Sequence, residues 1–497
     1  MAEAGAQTVE PTFCPQSRRI YVLVAAILAS SMAFIDGSVL SIAIPSLRAD
    51  LGATLADAQW VSNGYLLFLG SLLLLGGAAG DRFGLRLVFG LGIGVFVAAS
   101  MVCALAPQVG VLIVARAVQG IGAALMIPGS LAIIAKAYPK AERGRAIGTW
   151  AAASSLTTIM GPVLGGFVLT ALGDWSWRLV FAINLPLGGI ALALLILRVP
   201  VDGARARRKL DIVGAVLASL GLMLLAFGLT GSGSESVPPL SHIVIYCCAG
   251  LLSLAWFVWW ELWTEHPMLP LRLFTIRQFS GANALTFILY FALTGTTFYL
   301  PMTLIGGWGA SPAEVSMVML PFGVAIALLS GLSGRWADRF GAGPPITVGA
   351  VWVGLAFAGL AVTAPLQQIW QAVLPLMCMA GVGMALVVSP LSTAVMTAVD
   401  DDDTGIASGT NNAVSRVAGL VAVAAMGMLA ALVFERALGG AAELPVYFGL
   451  AADGLSPQDE AMRQLATNAA FSTIAYFNAG LCLASAVVAW LTLERKG

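Results

Sequence analysis

Fourteen apolar stretches, each long enough to cross a bilayer and separated by short polar or Gly/Pro-rich breaks, leave this chain few folds. They lie near residues 20–46, 58–79, 86–106, 110–135, 145–172, 178–198, 211–230, 241–263, 278–302, 312–335, 344–363, 369–398, 405–434 and 466–493. In hydrocarbon a segment must satisfy its own backbone groups, so each stretch predicts a helix. With 59% hydrophobic and 10% charged residues over 497 positions, the chain is too apolar for a soluble globule. The expected fold class is an all-α membrane protein with 14 transmembrane helices, in contact with the lipid bilayer.

The placement of Lys and Arg sets the expected orientation. With both termini inside, 19 of the 25 fall on the cytoplasmic side, four outside (Arg48, Arg178, Arg436, Arg463) and two within the membrane (Arg116, Arg416). That bias predicts a multi-pass protein of the inner, cytoplasmic membrane with cytoplasmic ends. The acidic loop Asp400 to Asp403 disobeys, but acidic residues count little in the rule. The six cysteines lie mostly in apolar stretches without metal spacing, and there are only two histidines, His242 and His266. No nucleophile, base or metal cluster is apparent. The expectation is therefore no catalytic residue, metal or cofactor, no nucleic-acid partner, and a monomer.

The chain repeats itself. Gly77-x-x-x-Asp81-x-x-Gly84 recurs as Gly334-x-x-x-Asp338-x-x-Gly341, and Gly120-Ile121-Gly122-Ala123-Ala124-Leu125 as Gly381-Val382-Gly383-Met384-Ala385-Leu386. The two spacings are nearly equal, which marks a duplicated six-helix unit. The expected organisation is a tail over 1–19, a six-helix bundle over 20–200, a linker with the inserted seventh and eighth helices over 201–277, a second bundle over 278–494 and a short end over 495–497. Ser311-Pro312-Ala313-Glu314 and Thr54 with Asp57 read as helix caps, which assigns Glu314 to capping.

Polar groups inside the spans are expensive and so mark function. Asp36 lies about 24 Å into the first helix and Arg116 about 9 Å into the antiparallel fourth, nearly one level in a core of about 30 Å, so the two can pair. Desolvation and the guanidinium act on Asp36 in opposite directions, as a proton switch requires. Arg416, with Asn411 and Asn412 a turn away, lies near the midplane of the thirteenth helix. These three, with Asn63, Gln119 and Tyr290, are expected to line a substrate cavity; turned toward a neighbouring helix, they would instead be interhelical hydrogen-bond or packing groups. Thr286, Thr294 and Phe298 share the spacing of Tyr290. Counting Asp36 as the one carboxylate against Arg116 and Arg416, the cavity should favour neutral, zwitterionic or weakly acidic lipophiles, tolerate some monovalent cations and handle dications poorly. One proton per turnover is the simplest exchange.

These motifs resemble the major facilitator superfamily, and the inserted pair looks like its fourteen-helix drug:proton antiporter branch. Asp36-Gly37-Ser38-Val39-Leu40-Ser41-Ile42-Ala43-Ile44-Pro45 is similar to that branch's D-x-T-x-x-N-x-A-x-P signature, with Ser38 and Ser41 in place of Thr and Asn. Arg116-x-x-Gln119-Gly120-x-Gly122 is similar to the family's proton-coupling motif, and Gly161-Pro162-Val163-Leu164-Gly165-Gly166 to its exporter motif. The resemblance implies two pseudo-symmetric bundles rocking around a central cavity, exporting an amphipathic small molecule against protons. A dedicated exporter of one endogenous metabolite and a non-transporting receptor are the alternatives. It also implies a conformational latch of Gly77, Asp81, Arg82, Gly84, Arg86, Asp338 and Arg339, although Leu85 stands where a basic residue is usual. The strip Gly161, Gly165 and Gly166, next to the bend at Pro162, is expected to seal against the eighth or eleventh helix.

Overall fold

The structure, a computed structural model, describes residues 13–202, 209–231, 237–439, 446–452 and 454–494. The basic run from Arg205 to Arg208 lies outside them. Fourteen helices are long and apolar enough to cross a membrane: α1 Gln16–Leu51, α2 Leu55–Phe83, α3 Leu85–Ala104, α4 Val109–Ala137, α5 Lys140–Leu172, α6 Asp174–Arg198, α7 Ile212–Thr230, α8 Leu240–Trp263, α9 Arg277–Gly307, α10 Pro312–Phe340, α11 Gly343–Leu366, α12 Ile369–Thr397, α13 Asp401–Leu438 and α14 Pro457–Thr492. Several run past the apolar stretch that predicts them, because polar ends are secured by caps. The hydroxyl of Ser456 accepts from the Asp459 amide and starts α14 about two turns early. Thr54 with Asp57 and Ser311 with Glu314 both form full capping boxes. Helix α6 is interrupted at Ile183, just before Pro186, which cannot donate to the preceding turn.

Helices α1 to α6 pack together, as do α9 to α14, while α7 and α8 pair with each other. The repeated glycines explain why the two bundles match. A Cβ on Gly92 would lie 2.8 Å from the Met126 nitrogen and 2.9 Å from the Gly122 oxygen; one on Gly349 would lie 2.5 Å from the Gly383 oxygen. The α3–α4 and α11–α12 contacts are thus backbone against backbone, which only glycine allows. Gly84 and Gly341, at φ 98° and 83°, end α2 and α10 in the left-handed region.

An even number of crossings brings both ends of the described chain to one side of the bundle, here termed the terminal face; the other is the distal face. Two seams join the bundles, α5 on α10 and α2 on α13. Near the distal face both are closed. The hydroxyl of Thr170 accepts from the Ala313 amide at 2.9 Å, and Gln59 donates to the Tyr299 hydroxyl at 3.2 Å. Arg48 reaches across to the carbonyl of Phe448 at 2.7 Å. Toward the terminal face the α5–α10 register would bring Ala151 against Gly331, yet both are exposed and a Cβ on Gly331 would meet nothing within 4 Å. The molecule is closed distally and open at its terminal face. Helix α7 lies along α2 and α13 together.

Candidate functional site

Asp36 and Arg116 meet as their depths predict. Arg116 Nη1 donates to Asp36 Oδ2 at 2.5 Å, and both side chains are buried. Gln119, one turn along α4, donates from Nε2 to Asp36 Oδ1 at 3.0 Å and accepts from Arg116 Nη1 at 2.6 Å. Close approach of α2 completes the setting. A Cβ on Gly120 would lie 2.5 Å from the Tyr65 oxygen, so glycine there lets the Tyr65 ring come within 4.4 Å of the guanidinium. Arg116 Nε then donates to the Val61 carbonyl at 2.9 Å. Every polar atom of the carboxylate is used, as burial of a charge demands. Gly37, the next residue, is exposed with open space beyond it.

The remaining expected residues divide. Gln119 does not line the open cavity but is fully buried, bonded to Asp36 and to the Ser100 hydroxyl at 3.0 Å. Asn411 is likewise turned away: its amide donates to Asn283 Oδ1 at 3.2 Å and Thr286 Oγ1 at 2.7 Å, tying α13 to α9. A helical turn sets their depth but not their rotation, and spacing alone could not tell cavity from neighbour. Asn63 is fully buried in the closed distal half, and neither atom of its amide has a partner among the described residues. Asn412 is exposed and bonds only its own helix. Arg416 is half-buried against Gly70 in the α2–α13 seam and has no hydrogen bond or ion pair among the described residues. Tyr290 of α9 is half-buried.

The glycine strip of α5 requires a correction. Gly161 and Gly165 face Ser38 and Val39 of α1 in their own bundle, and only Gly166 faces the other half. Its neighbour there is α10, not α8 or α11. The inserted pair shifts the count, and α8 sits outside on α7. The charge count within the membrane also missed a buried carboxylate. Glu261, 4% exposed, lies in α8 near the terminal face.

At the terminal turn Arg86 is held within its own bundle, donating to the carbonyls of Leu195 and Ile196 at 3.1 and 2.8 Å. Asp81 is exposed and unpaired among the described residues. The nearby α3 N-terminus is capped instead by Asp202, a residue that sequence reasoning missed because a single loop aspartate carries no spacing signal. It accepts from the amides of Leu85 and Arg86, both at 2.9 Å, and from Lys136 Nζ at 2.6 Å. Burial pushes this carboxyl up, but Lys136 and the two amides outweigh it and hold it below the ordinary 3.8. A lowered value means that the clamp is present above the ordinary value and is lost only as pH falls through the lower one. Asp202→Ala is expected to cost about 3–5 kcal/mol, the order for a broken buried pair. Thermal unfolding and hydrogen exchange at Leu85 and Arg86 check this; unchanged exchange would show that the clamp contributes nothing.

The pattern described as Major Facilitator Superfamily matches residues 26–423 and again 282–497. A methylenomycin A resistance protein of Bacillus subtilis is 33% identical over 419 residues, 83% of this chain and 88% of its own. The multidrug resistance protein Stp of Mycobacterium tuberculosis is 30% identical over 414 residues, 83% and 76% of the two chains. A probable actinorhodin transporter of Streptomyces coelicolor is 32% identical over 430 residues, 84% and 73%. Among solved structures, an inward-facing, unoccupied bacterial homologue of the human lysosomal transporter Spinster matches with a TM-score of 0.69 at 16% identity, covering 96% of this chain and 97% of that one. The xylose transporter XylE from E. coli, partially occluded and inward open, matches at 0.62 and 14% identity over 97% and 99%. With its duplicated bundles, buried Asp36–Arg116 pair and these matches, the chain belongs to the Major Facilitator Superfamily.

Proposed function

We propose that the protein is a proton-driven antiporter of the cytoplasmic membrane that exports amphipathic small molecules, with its terminal face in the cytoplasm. The observation that carries this is Asp36: a fully buried carboxylate held by Arg116 and Gln119, one residue from open space at Gly37. A proton arriving there cancels the charge that fixes Arg116, so protonation and helix position become linked. The Lys/Arg bias supports the orientation. Relatives named for multidrug, methylenomycin A and actinorhodin handling support export. The last two names concern single compounds, which favours a dedicated exporter as the second reading.

Asp81 acts as the latch of the opposite state. Continued at the register of Gly70 with Arg416, the α2–α13 seam would bring Asp81 to Gly405 in the first turn of α13, whose N–H groups favour an anion. In the present state Gly405 meets nothing within 4 Å.

Arg416 sets the substrate preference. A guanidinium at this depth without a counter-charge attracts a neutral acceptor or an acid and repels a dication. In proteoliposomes with an imposed proton gradient, wild type is expected to move neutral and weakly acidic amphiphiles well, monocationic quaternary ammoniums weakly and dicationic ones poorly. Arg416→Ala is expected to reduce acid transport by about tenfold, an interaction of about 1.4 kcal/mol, and to spare neutral compounds. Strong transport of dications alone would overturn the charge argument; absence of any gradient-driven transport would overturn export itself.

A further inference from the structure

The inserted pair α7–α8 carries a feature that transport through the centre does not use. Asp211, the N-cap of α7, and Glu261 of α8 are 8% and 4% exposed. Asp211 Oδ1 accepts from the Gly214 amide at 2.8 Å and from the Trp260 indole at 2.9 Å. Glu261 Oε2 accepts from the Leu269 amide at 3.1 Å. The other two oxygens, Asp211 Oδ2 and Glu261 Oε1, are buried and find no donor among the described residues.

Both orphaned oxygens point at one spot. A Cβ on Gly214 would lie 2.5 Å from Asp211 Oδ2 and 2.8 Å from Glu261 Oε1, so the two oxygens crowd the same point. Two acceptors cannot bond without a proton between them. Two carboxylates so close and so buried cannot both stay ionised either. Helix dipoles divide the roles: Asp211 sits at the positive end of α7, where a negative charge is stabilised, and Glu261 near the negative end of α8, where it is not. A cavity of about 270 Å³ touching Asp211 and Trp260 gives solvent a way in. Lys209, Glu265 and His266 line it. The charged groups at this end of the helices packed on α7 are Asp81 and Arg82 of α2 and Asp401, Asp402 and Asp403 of α13.

We propose that Asp211 and Glu261 hold one proton between them, a second protonation site on the inserted pair and separate from Asp36. The proton lies on Glu261 Oε1 and is donated to Asp211 Oδ2; when it leaves, two like charges face each other and the α7–α8 junction loosens.

Infrared titration of the full-length protein in lipid nanodiscs tests this without any transport. A protonated-carboxyl band is expected at neutral pH, kept by Asp36→Asn and lost by Glu261→Gln, whose amide replaces the proton and preserves the fold. Hydrogen exchange at the Gly214 amide, corrected for its intrinsic rate, is expected to rise several-fold on alkalisation in wild type and stay flat in Glu261→Gln. A band untouched by Glu261→Gln, an identical exchange profile in both proteins, or a signal that follows sodium or potassium concentration instead of pH would each overturn the shared proton.

Discussion

Asp36→Asn is expected to leave a protein that reaches the membrane and binds its substrate, yet moves none of it uphill. The amide still accepts from Gln119 or Arg116 but cannot take up and release a proton, so the gradient has nothing to act on. Removing the charge also leaves the buried Arg116 with uncharged partners: the new amide, Gln119, the Val61 carbonyl and the Tyr65 and Phe181 rings. Losing one partner of a buried pair costs about 3–5 kcal/mol, so some loss of thermal stability accompanies the loss of coupling. Two measurements on the same proteoliposomes separate these effects: substrate exchange at equilibrium, expected to persist, and gradient-driven accumulation, expected to fall to background. Undiminished accumulation would remove Asp36 from the coupling step.

Gly166→Val is expected to hold the molecule away from the state seen here. A Cβ at this position would lie 2.5 Å from Ser316 Oγ, 2.6 Å from the Pro312 carbonyl and 2.7 Å from Ser316 Cβ, and the backbone oxygen cannot step aside. Overpacking of this kind costs about 1–3 kcal/mol, a shift of about 5- to 150-fold in a two-state population. The strain falls only where the distal seam is closed, so opening it is the relief. Spin labels at Ala171 and Ala313 are expected to move apart relative to wild type, with turnover reduced about tenfold or more. Gly161→Ala is the control, since its Cβ meets Ser38, Val39 and Ile35 of α1 at 3.3, 3.4 and 3.6 Å, all in its own bundle. Equal label distances in Gly166→Val and wild type would show that the seam tolerates the side chain.

What the sequence made legible follows from which quantities it encodes directly. Length and hydropathy set fourteen crossings, and a fixed rise per residue placed Asp36 opposite Arg116. The glycine repeat announced the duplication because its cause, backbone contact between α3 and α4 and between α11 and α12, leaves no other residue possible. Rotation about a helix axis is not encoded that way. Asn411 was therefore read toward the cavity although it faces Asn283 and Thr286, and the glycines of α5 were all turned toward the other half although two of them face α1 of their own. Charges at helix ends were the other blind spot. Asp202 and Glu261 sit where a carboxylate is ordinarily wetted, and only the fold shows that each is buried. For Glu261 a signal existed: Trp259, Trp260 and Trp263 around it mark the stretch as membrane to its end.

The position of α7 breaks the symmetry that the duplication creates. Because it lies along α2 and α13 together, one of the two seams between the halves has a roof, while the other, α5 on α10, presents Leu156, Leu164 and Leu328 outward. Acyl chains can lie against that second seam and are kept off the first. With the terminal end open, the seam that the inserted pair leaves bare is the one between the terminal halves of α5 and α10. The inserted pair thus decides which of the two seams faces the lipid.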